Sequence, residues 1–208
     1  MLQQYKRIGI LGGTFNPIHC GHLIIAESVR ESFSLEKVLL IPSGLPPHKP
    51  DSEVIDPERR YEMVRRAVNS NPFFEASRVE IDTDGYTYTV NTLQALKKAY
   101  GSEAVLYFII GADIIPELTT WKEYRTVFGL CEFIAVRRPG IDKKSAETAV
   151  GRLKSEYAAK INLVDAPLID ISSSEIREKC NAGKSIKYLV AEGVEEYIIT
   201  EGLYRESI

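Results

Sequence analysis

Gly12-Gly13-Thr14-Phe15-Asn16-Pro17-Ile18-His19-Cys20-Gly21-His22 is the stretch on which the reading of this chain turns. It follows Arg7-Ile8-Gly9-Ile10-Leu11, an apolar run that reads as a short buried strand. It leads into Leu23-Ile24-Ile25-Ala26-Glu27-Ser28-Val29-Arg30, whose apolar residues have helical spacing. The segment is therefore a glycine-rich strand-to-helix turn with two histidines at the helix start. Such a turn aims backbone N–H groups and the positive end of the helix dipole at one spot, which suits an anion. Histidines at i and i+3 share a helix face. Gly21 between them is expected to let a ligand approach the backbone. The simplest reading is a site that holds and polarises a polyphosphate. It is not the P-loop, because no Gly-Lys-Ser/Thr follows. Gly9, Gly12 and Gly13 do not form the dinucleotide fingerprint either.

On both sides of this turn, strand-like and helix-like segments alternate. Lys37–Pro42 reads as a buried strand, and Ser43–Pro50 as a proline-stiffened loop. Asp56 with Pro57 marks a helix start, with a helix to about Asn69. Phe73–Ile81 alternates like a strand, and Thr89–Tyr100 is helical. Ala104–Ile110 is the most apolar strand and belongs at the sheet centre. Glu132–Val136 and Ile161–Asp165 are further strands, separated by a helix over Lys143–Ala159 polar enough to be peripheral or mobile. Residues after about 172 read as two or three short helices. Apolar strands alternating with amphipathic helices predict a doubly wound parallel α/β sheet. Ligands on such sheets bind at the carboxyl ends of strands. The loops 12–22, 42–50, 111–121, 137–140 and 166–174 each follow a strand and should share that edge. A single domain over 1–208 is expected, with a helical C-terminal part.

The chain has 208 residues, 44% hydrophobic and 26% charged, with a net charge of −3. These values exclude a disordered or membrane-embedded chain, and no apolar run approaches the roughly 20 residues of a membrane span. A nucleic-acid binder would more often be basic, so the phosphates belong to a small molecule. No signal peptide precedes the first strand. The three cysteines, Cys20, Cys131 and Cys180, have neither metal nor disulfide spacing. Together these predict a cytoplasmic protein with no protein-held metal. Cys20 reads as a spectator.

Further constellations fall in the same loops. The three histidines are His19, His22 and His48, the last beside Lys49. Ile171-Ser172-Ser173-Ser174-Glu175-Ile176-Arg177 combines hydroxyls, a helix start and a guanidinium, which is either a capped helix or a second phosphate cradle. Gly111-Ala112-Asp113 lets a nucleoside lie against backbone, with Asp113 accepting from ribose hydroxyls. Trp121 is the sole tryptophan and is either core or a stacking surface for an electron-poor ring. Thr89 is placed to cap a helix and offer N–H groups to a carboxylate. Arg138 in Arg137-Arg138-Pro139-Gly140 is an edge-strand exit or an adenine contact.

In the form Gly-Gly-Thr-Phe-Asn-Pro-x-His-x-Gly-His the opening segment resembles the H-x-G-H nucleotidyltransferases. Ile171-Ser172-x-Ser174-x-x-Arg177 resembles their second motif, with Ser174 where Thr is more usual. Pro46-Pro47-His48-Lys49, Tyr88-Thr89-x-x-Thr92, Arg138-Pro139-Gly140 and Gly202-Leu203-Tyr204 extend the resemblance over nearly the whole chain, to the bacterial nicotinate-nucleotide adenylyltransferases. Asn91 stands where that family more usually has Asp. The resemblance implies transfer of the ATP adenylyl group to nicotinate mononucleotide (NaMN), with Mg²⁺ accompanying ATP and a homodimer possible. It implies that Gly12, Gly13, Thr14, Phe15, His19, His22, Gly111, Asp113, Arg138, Ser173, Ser174 and Arg177 hold ATP. His19, His22 and Arg177 would be catalytic. Asn16, His48, Lys49, Tyr88, Thr89, Trp121 and Lys122 would hold the nicotinate nucleotide.

Phosphopantetheine adenylyltransferases are typically shorter and lack the Trp121 loop. The Arg-Thr-x-Gly-x-Ser-Thr-Thr run of cytidylyltransferases and the Lys-Met-Ser-Lys-Ser-like loop of class I aminoacyl-tRNA synthetases are absent. Intact His19, His22 and Arg177 argue against a regulatory module with a dead site. An enzyme preferring the amide, NMN, stays open, because the two acceptors differ by one group.

Overall fold

In the computed structural model, residues 5–45, 54–137, 143–167 and 169–205 are described. Six strands run in order of sequence: β1 (Arg7–Gly13), β2 (Lys37–Pro42), β3 (Phe74–Ala76), β4 (Val105–Gly111), β5 (Glu132–Arg137) and β6 (Ile161–Asp165). They form one parallel sheet in the order β3-β2-β1-β4-β5-β6. The chain winds outward from β1 one way and from β4 the other. The crevice at their carboxyl ends is therefore the topological switch point, and the histidine loop leaves β1 there.

The helices are α1 (Cys20–Ser32), α2 (Pro57–Val68), α3 (Thr89–Tyr100), α4 (Tyr124–Leu130), α5 (Lys143–Tyr157), α6 (Ser173–Asn181) and α7 (Glu192–Thr200). Strand alternation divides the apolar side chains between the two sheet faces. Leu11, Tyr107 and Ile109 join α1, α2, α6 and α7 through Val29, Val64, Ile176 and Val194. Ile8, Ile10, Leu106, Phe108 and Ile110 join α3, α4 and α5 through Leu93, Val127 and Leu153. With both faces covered, β1 and β4 are apolar at nearly every position, which is why they read as continuous runs.

The helix start at Asp56 is as expected: its carboxylate accepts from the N–H of Glu58 at 2.8 Å and of Arg59 at 3.4 Å, with Pro57 first in the helix. Other expectations need correction. The strand predicted over Phe73–Ile81 pairs only over Phe74–Ala76, because the chain turns at Arg78, whose carbonyl accepts from the Asp82 N–H. The expected loop 111–121 contains a 3-10 helix, Ala112–Thr120, which burial of Ile115 and Leu118 holds against the sheet. The short α4 was not expected. The cap of α3 is Tyr88, and Thr89 is the first helical residue. The segment read as peripheral or mobile is the packed α5, seated by Ala146, Val150 and Leu153. Among the described residues, no helix is long and apolar enough to cross a membrane.

Candidate active site

The phosphate loop is pinned from below by its own apolar residues and from the side by the C-terminal helices. Phe15 is 3% exposed and sits at φ 49°, and its ring meets the edge of His22 at 5.0 Å between centroids. Asn16 is buried. Its carbonyl accepts from Arg177 Nη1 at 2.9 Å, and its side-chain oxygen accepts from the Tyr204 hydroxyl at 3.0 Å. The Pro17 carbonyl accepts from Ser173 Oγ at 2.8 Å. These bonds join the turn after β1 to residues more than 150 positions later.

At the loop's end His19 caps α1 and is buried. Its ring stacks on that of His22 with centroids 3.6 Å apart and planes 28° apart. The His19 N–H donates to Nδ1 of His22 at 3.2 Å. A neutral imidazole that accepts at Nδ1 carries its proton on Nε2, so His22 is fixed as an Nε2–H donor. His22 lines the crevice. The first turn of α1 has no acidic residue, so the positive helix end is uncompensated there. Gly21 also makes room for the histidine ring: a Cβ there would stand 3.0 Å from Nδ1 of His19.

The second motif divides its three serines by role. Ser172 caps α6, accepting from the Glu175 N–H at 3.1 Å. Ser173 donates to Pro17, and Ser174 accepts from Arg177 Nη2 at 3.3 Å. The half-buried Arg177 guanidinium is thereby held beside the N-terminus of α1. The structure brings its positive charge to the same edge as the histidine pair.

The crevice encloses about 420 Å³. Gly12, Gly13, His22, Thr87, Thr89, Phe108, Ile110 and Trp121 are among the residues that line it. Its size and mostly apolar lining with a few convergent polar groups suit a small-molecule site. Trp121 is neither fully enclosed nor free of the core. It is half-buried, edge-on to Phe108 at 5.8 Å and Phe133 at 6.2 Å, while also lining the crevice. Lys122 Nζ lies 4.2 Å from the centre of the Tyr88 ring, which carries its charge next to the start of α3. Asp113 is exposed and folds over Gly111, where a Cβ would stand 2.2 Å from its Oδ1. Gly111 thus gives space to Asp113, in addition to the ligand approach expected of it. Burial raises the Cys20 thiol above its ordinary pKa. His48, Lys49 and Arg138 lie outside the described residues. Among the described residues no three His, Cys, Asp or Glu side chains converge as a metal cage.

Two inward-turned charged residues, one buried and one half-buried, escaped the sequence reading. Arg60 is 1% exposed, and burial lowers its pKa from an ordinary value far above neutrality. Glu80 lines the crevice, and burial raises its carboxyl above the usual range. Arg60 stood in the helix expected after Asp56 and Glu80 in the strand expected over Phe73–Ile81, and neither was singled out. Only the tertiary structure turns them inward.

The cytidylyltransferase-like family model matches residues 10–179. A relative from Moorella thermoacetica, named probable nicotinate-nucleotide adenylyltransferase, is 50% identical over 199 residues, covering 96% of this chain and 92% of that protein. One of the same name from a Thermoanaerobacter species is 44% identical, covering 99% and 97%. Among solved structures, the Plasmodium falciparum nicotinic acid mononucleotide adenylyltransferase complexed with NaAD superposes with a TM-score of 0.77 at 21% identity, over 96% of this chain and 98% of that one. That likeness bears on the fold, whereas the two close relatives bear on the sequence motifs over their whole length. A histidine pair at the switch point, an arginine latched beside it and near-complete alignment at half identity lead to one conclusion: this chain belongs to the nicotinate-nucleotide adenylyltransferase family.

Proposed function

We propose that the protein transfers the adenylyl group of ATP to nicotinate mononucleotide, releasing pyrophosphate and forming nicotinate adenine dinucleotide (NaAD), a cytoplasmic step of pyridine nucleotide synthesis. The observation that carries this is the stacked His19–His22 pair at the N-terminus of α1, whose His22 lines a crevice that the sole tryptophan also lines.

The acceptor's 5′-phosphate is anionic near neutral pH, so no general base is needed. The chemistry is in-line displacement at the α-phosphorus, in which the protein aligns two polyanions and offsets their charge. His22 Nε2–H donates to the oxygens on which charge grows in the transition state. His19 fixes the tautomer and orientation of His22 and contacts the same phosphates. Arg177 adds fixed positive charge for the leaving pyrophosphate, with Ser173 and Ser174 setting its place and Gly12 to Phe15 shaping the loop. Gly111 and Asp113 face the nucleoside. Trp121 stacks on the pyridine ring, while the Thr89 N–H and Lys122 receive its carboxylate. Asn16, Tyr88, His48 and Lys49 complete the acceptor side, and Arg138 the adenine side. Mg²⁺ would enter with ATP as part of the substrate and would offset phosphate charge there. The acidic chain balance fits small-molecule partners in place of nucleic acid.

The test is to incubate the protein with Mg-ATP and, separately, NaMN, NMN or phosphopantetheine, and to identify products by mass. NaAD with pyrophosphate is expected, and EDTA should stop its formation. Product from phosphopantetheine alone, or none at all, would overturn the assignment.

A further inference from the structure

Arg60 and Glu80 take no part in the transfer as described above, yet Arg60 is buried and Glu80 half-buried beside it. The Arg60 guanidinium donates to three backbone carbonyls from three separate segments: Thr14 at 2.9 Å, Gly44 at 3.0 Å and Ile55 at 3.0 Å. Glu80 accepts from Thr92 Oγ1 at 2.8 Å, and the Thr87 hydroxyl and the Gly44 N–H face its carboxylate and favour its charged form. Gly44 is therefore flanked on both sides: its carbonyl accepts from Arg60, and its amide faces the Glu80 carboxylate. The fit is close. A Cβ on Gly44 would lie 2.3 Å from the Glu80 carbonyl oxygen, so no other residue could stand there without a shift.

What hangs from Gly44 is the acceptor wall. Leu45 bridges to Tyr86, and the Thr87 N–H donates to the Leu45 carbonyl at 3.4 Å. Thr87 and Thr89 then line the crevice. Through its other hydrogen bond Arg60 holds Thr14, in the phosphate loop. Buried charges are costly unless hydrogen-bonded, and apolar residues could fill the same volume more cheaply. Charge-assisted hydrogen bonds are, however, short and directional, and so fix distances. An in-line reaction needs that precision, since a displacement of about 1 Å can cost on the order of a hundredfold in rate.

We infer that Arg60 and Glu80 are positioning residues: by holding the Gly44 peptide from both sides they set the acceptor wall at Thr87–Thr89 against the phosphate loop at Thr14. The inference rests on the adenylyltransferase reading. It also gives a role to Thr92, a buried residue of the Tyr88-Thr89-x-x-Thr92 landmark, whose hydroxyl orients Glu80.

Glu80→Gln removes the charge and one acceptor, and Thr92→Val removes only the hydroxyl that orients Glu80. Each is measured for steady-state kinetics, thermal melting, and binding of NaMN and of ATP by quenching of Trp121, the sole tryptophan. Glu80→Gln should raise the KM and Kd for NaMN by about tenfold, the scale of one charge-assisted hydrogen bond, with ATP values within about twofold. Thr92→Val should move the same constants in the same direction by less. Should Glu80→Gln fail to fold, Thr92→Val carries the test. Arg60→Lys, which keeps charge but loses the fork, should lower kcat as well, because it also loosens Thr14. Folded variants that bind NaMN like wild type, or that lose both substrates equally, would make these residues merely structural and overturn the inference. Wild-type protein that forms no dinucleotide would overturn the adenylyltransferase reading first, and this inference with it.

Discussion

At the phosphate end of the crevice, the loop is tied to distant parts of the chain by direct hydrogen bonds. Asn16 is held by Arg177 and Tyr204, Pro17 by Ser173, and the His22 ring by the His19 amide. At the acceptor end, the groups facing the crevice rest on aromatic surfaces. Trp121 leans edge-on against two phenylalanines, and the exposed Lys122 lies over Tyr88. The contrast follows the work each end does. Groups that meet charge developing in a transition state act best when no reorganisation is needed as the reaction proceeds. Groups that select a planar ring need shape and a π-face, which half-buried aromatics supply. On the proposed mechanism, rigid polar bonding serves rate, and aromatic contact serves the choice of acceptor.

The most direct way to break this contrast is His22→Ala. It should cost about a hundredfold to a thousandfold in kcat, the range for one lost transition-state donor. Melting should stay near wild type, and ATP affinity should fall less than kcat. Near-normal turnover would remove the histidine pair from the mechanism. Trp121→Ala probes the other end. It should raise the KM for NaMN by about tenfold or more, as for a lost base-stacking surface, and barely affect the KM for ATP. Because the ring is only half-buried, its loss should cost less stability than the roughly 3–5 kcal/mol of a core tryptophan; a full core penalty with unchanged NaMN use would reverse the assignment. Acceptor choice is a smaller effect. NaMN should exceed NMN by about tenfold in kcat/KM, as one charge-assisted hydrogen bond supplies, and equal efficiencies would leave Thr89 and Lys122 without the carboxylate role. The smallest effect is Tyr204→Phe. Losing its hydrogen bond to Asn16 should cost about 1 kcal/mol and lower Tm by roughly 2–4 °C, with kcat reduced far less than in His22→Ala. A Tyr204→Phe loss as large as that of His22→Ala would mean that rigidity itself, and not the donor, sets the rate.

The same division explains what could be read from sequence. The strand–turn–helix at residues 7–32 carries its signals locally: an apolar run, glycines and two histidines one turn apart. So does the start of α2 at Asp56-Pro57. Such elements were legible because short-range geometry decides them. The strand expected after Phe73 failed because alternation alone cannot tell a paired strand from a turn whose Glu80 carboxylate points to Thr92. The 3-10 helix at Ala112–Thr120 and α4 were hidden by Pro116 and by a start at Glu123 in the left-handed region, neither of which advertises a helix. Arg60 and Glu80 were illegible for a different reason. A charged residue on an amphipathic helix or in a turn looks solvated until the fold encloses it. Tyr204 was noticed as part of a family landmark, but its bond to Asn16 across 188 positions has no local signature.

That long bond has a consequence for the order in which the protein comes into being. The phosphate loop is synthesised early, and β1 beside it must wait for β4 before it has both sheet neighbours. The loop must then wait longer, for Ser173, Arg177 and finally Tyr204, to gain its side supports. A chain emerging from the ribosome thus carries both histidines long before it carries their brace. Adenylyl transfer is a property the molecule acquires only once Tyr204 has been added, and a ribosome stalled short of it would display the motif without its finished geometry.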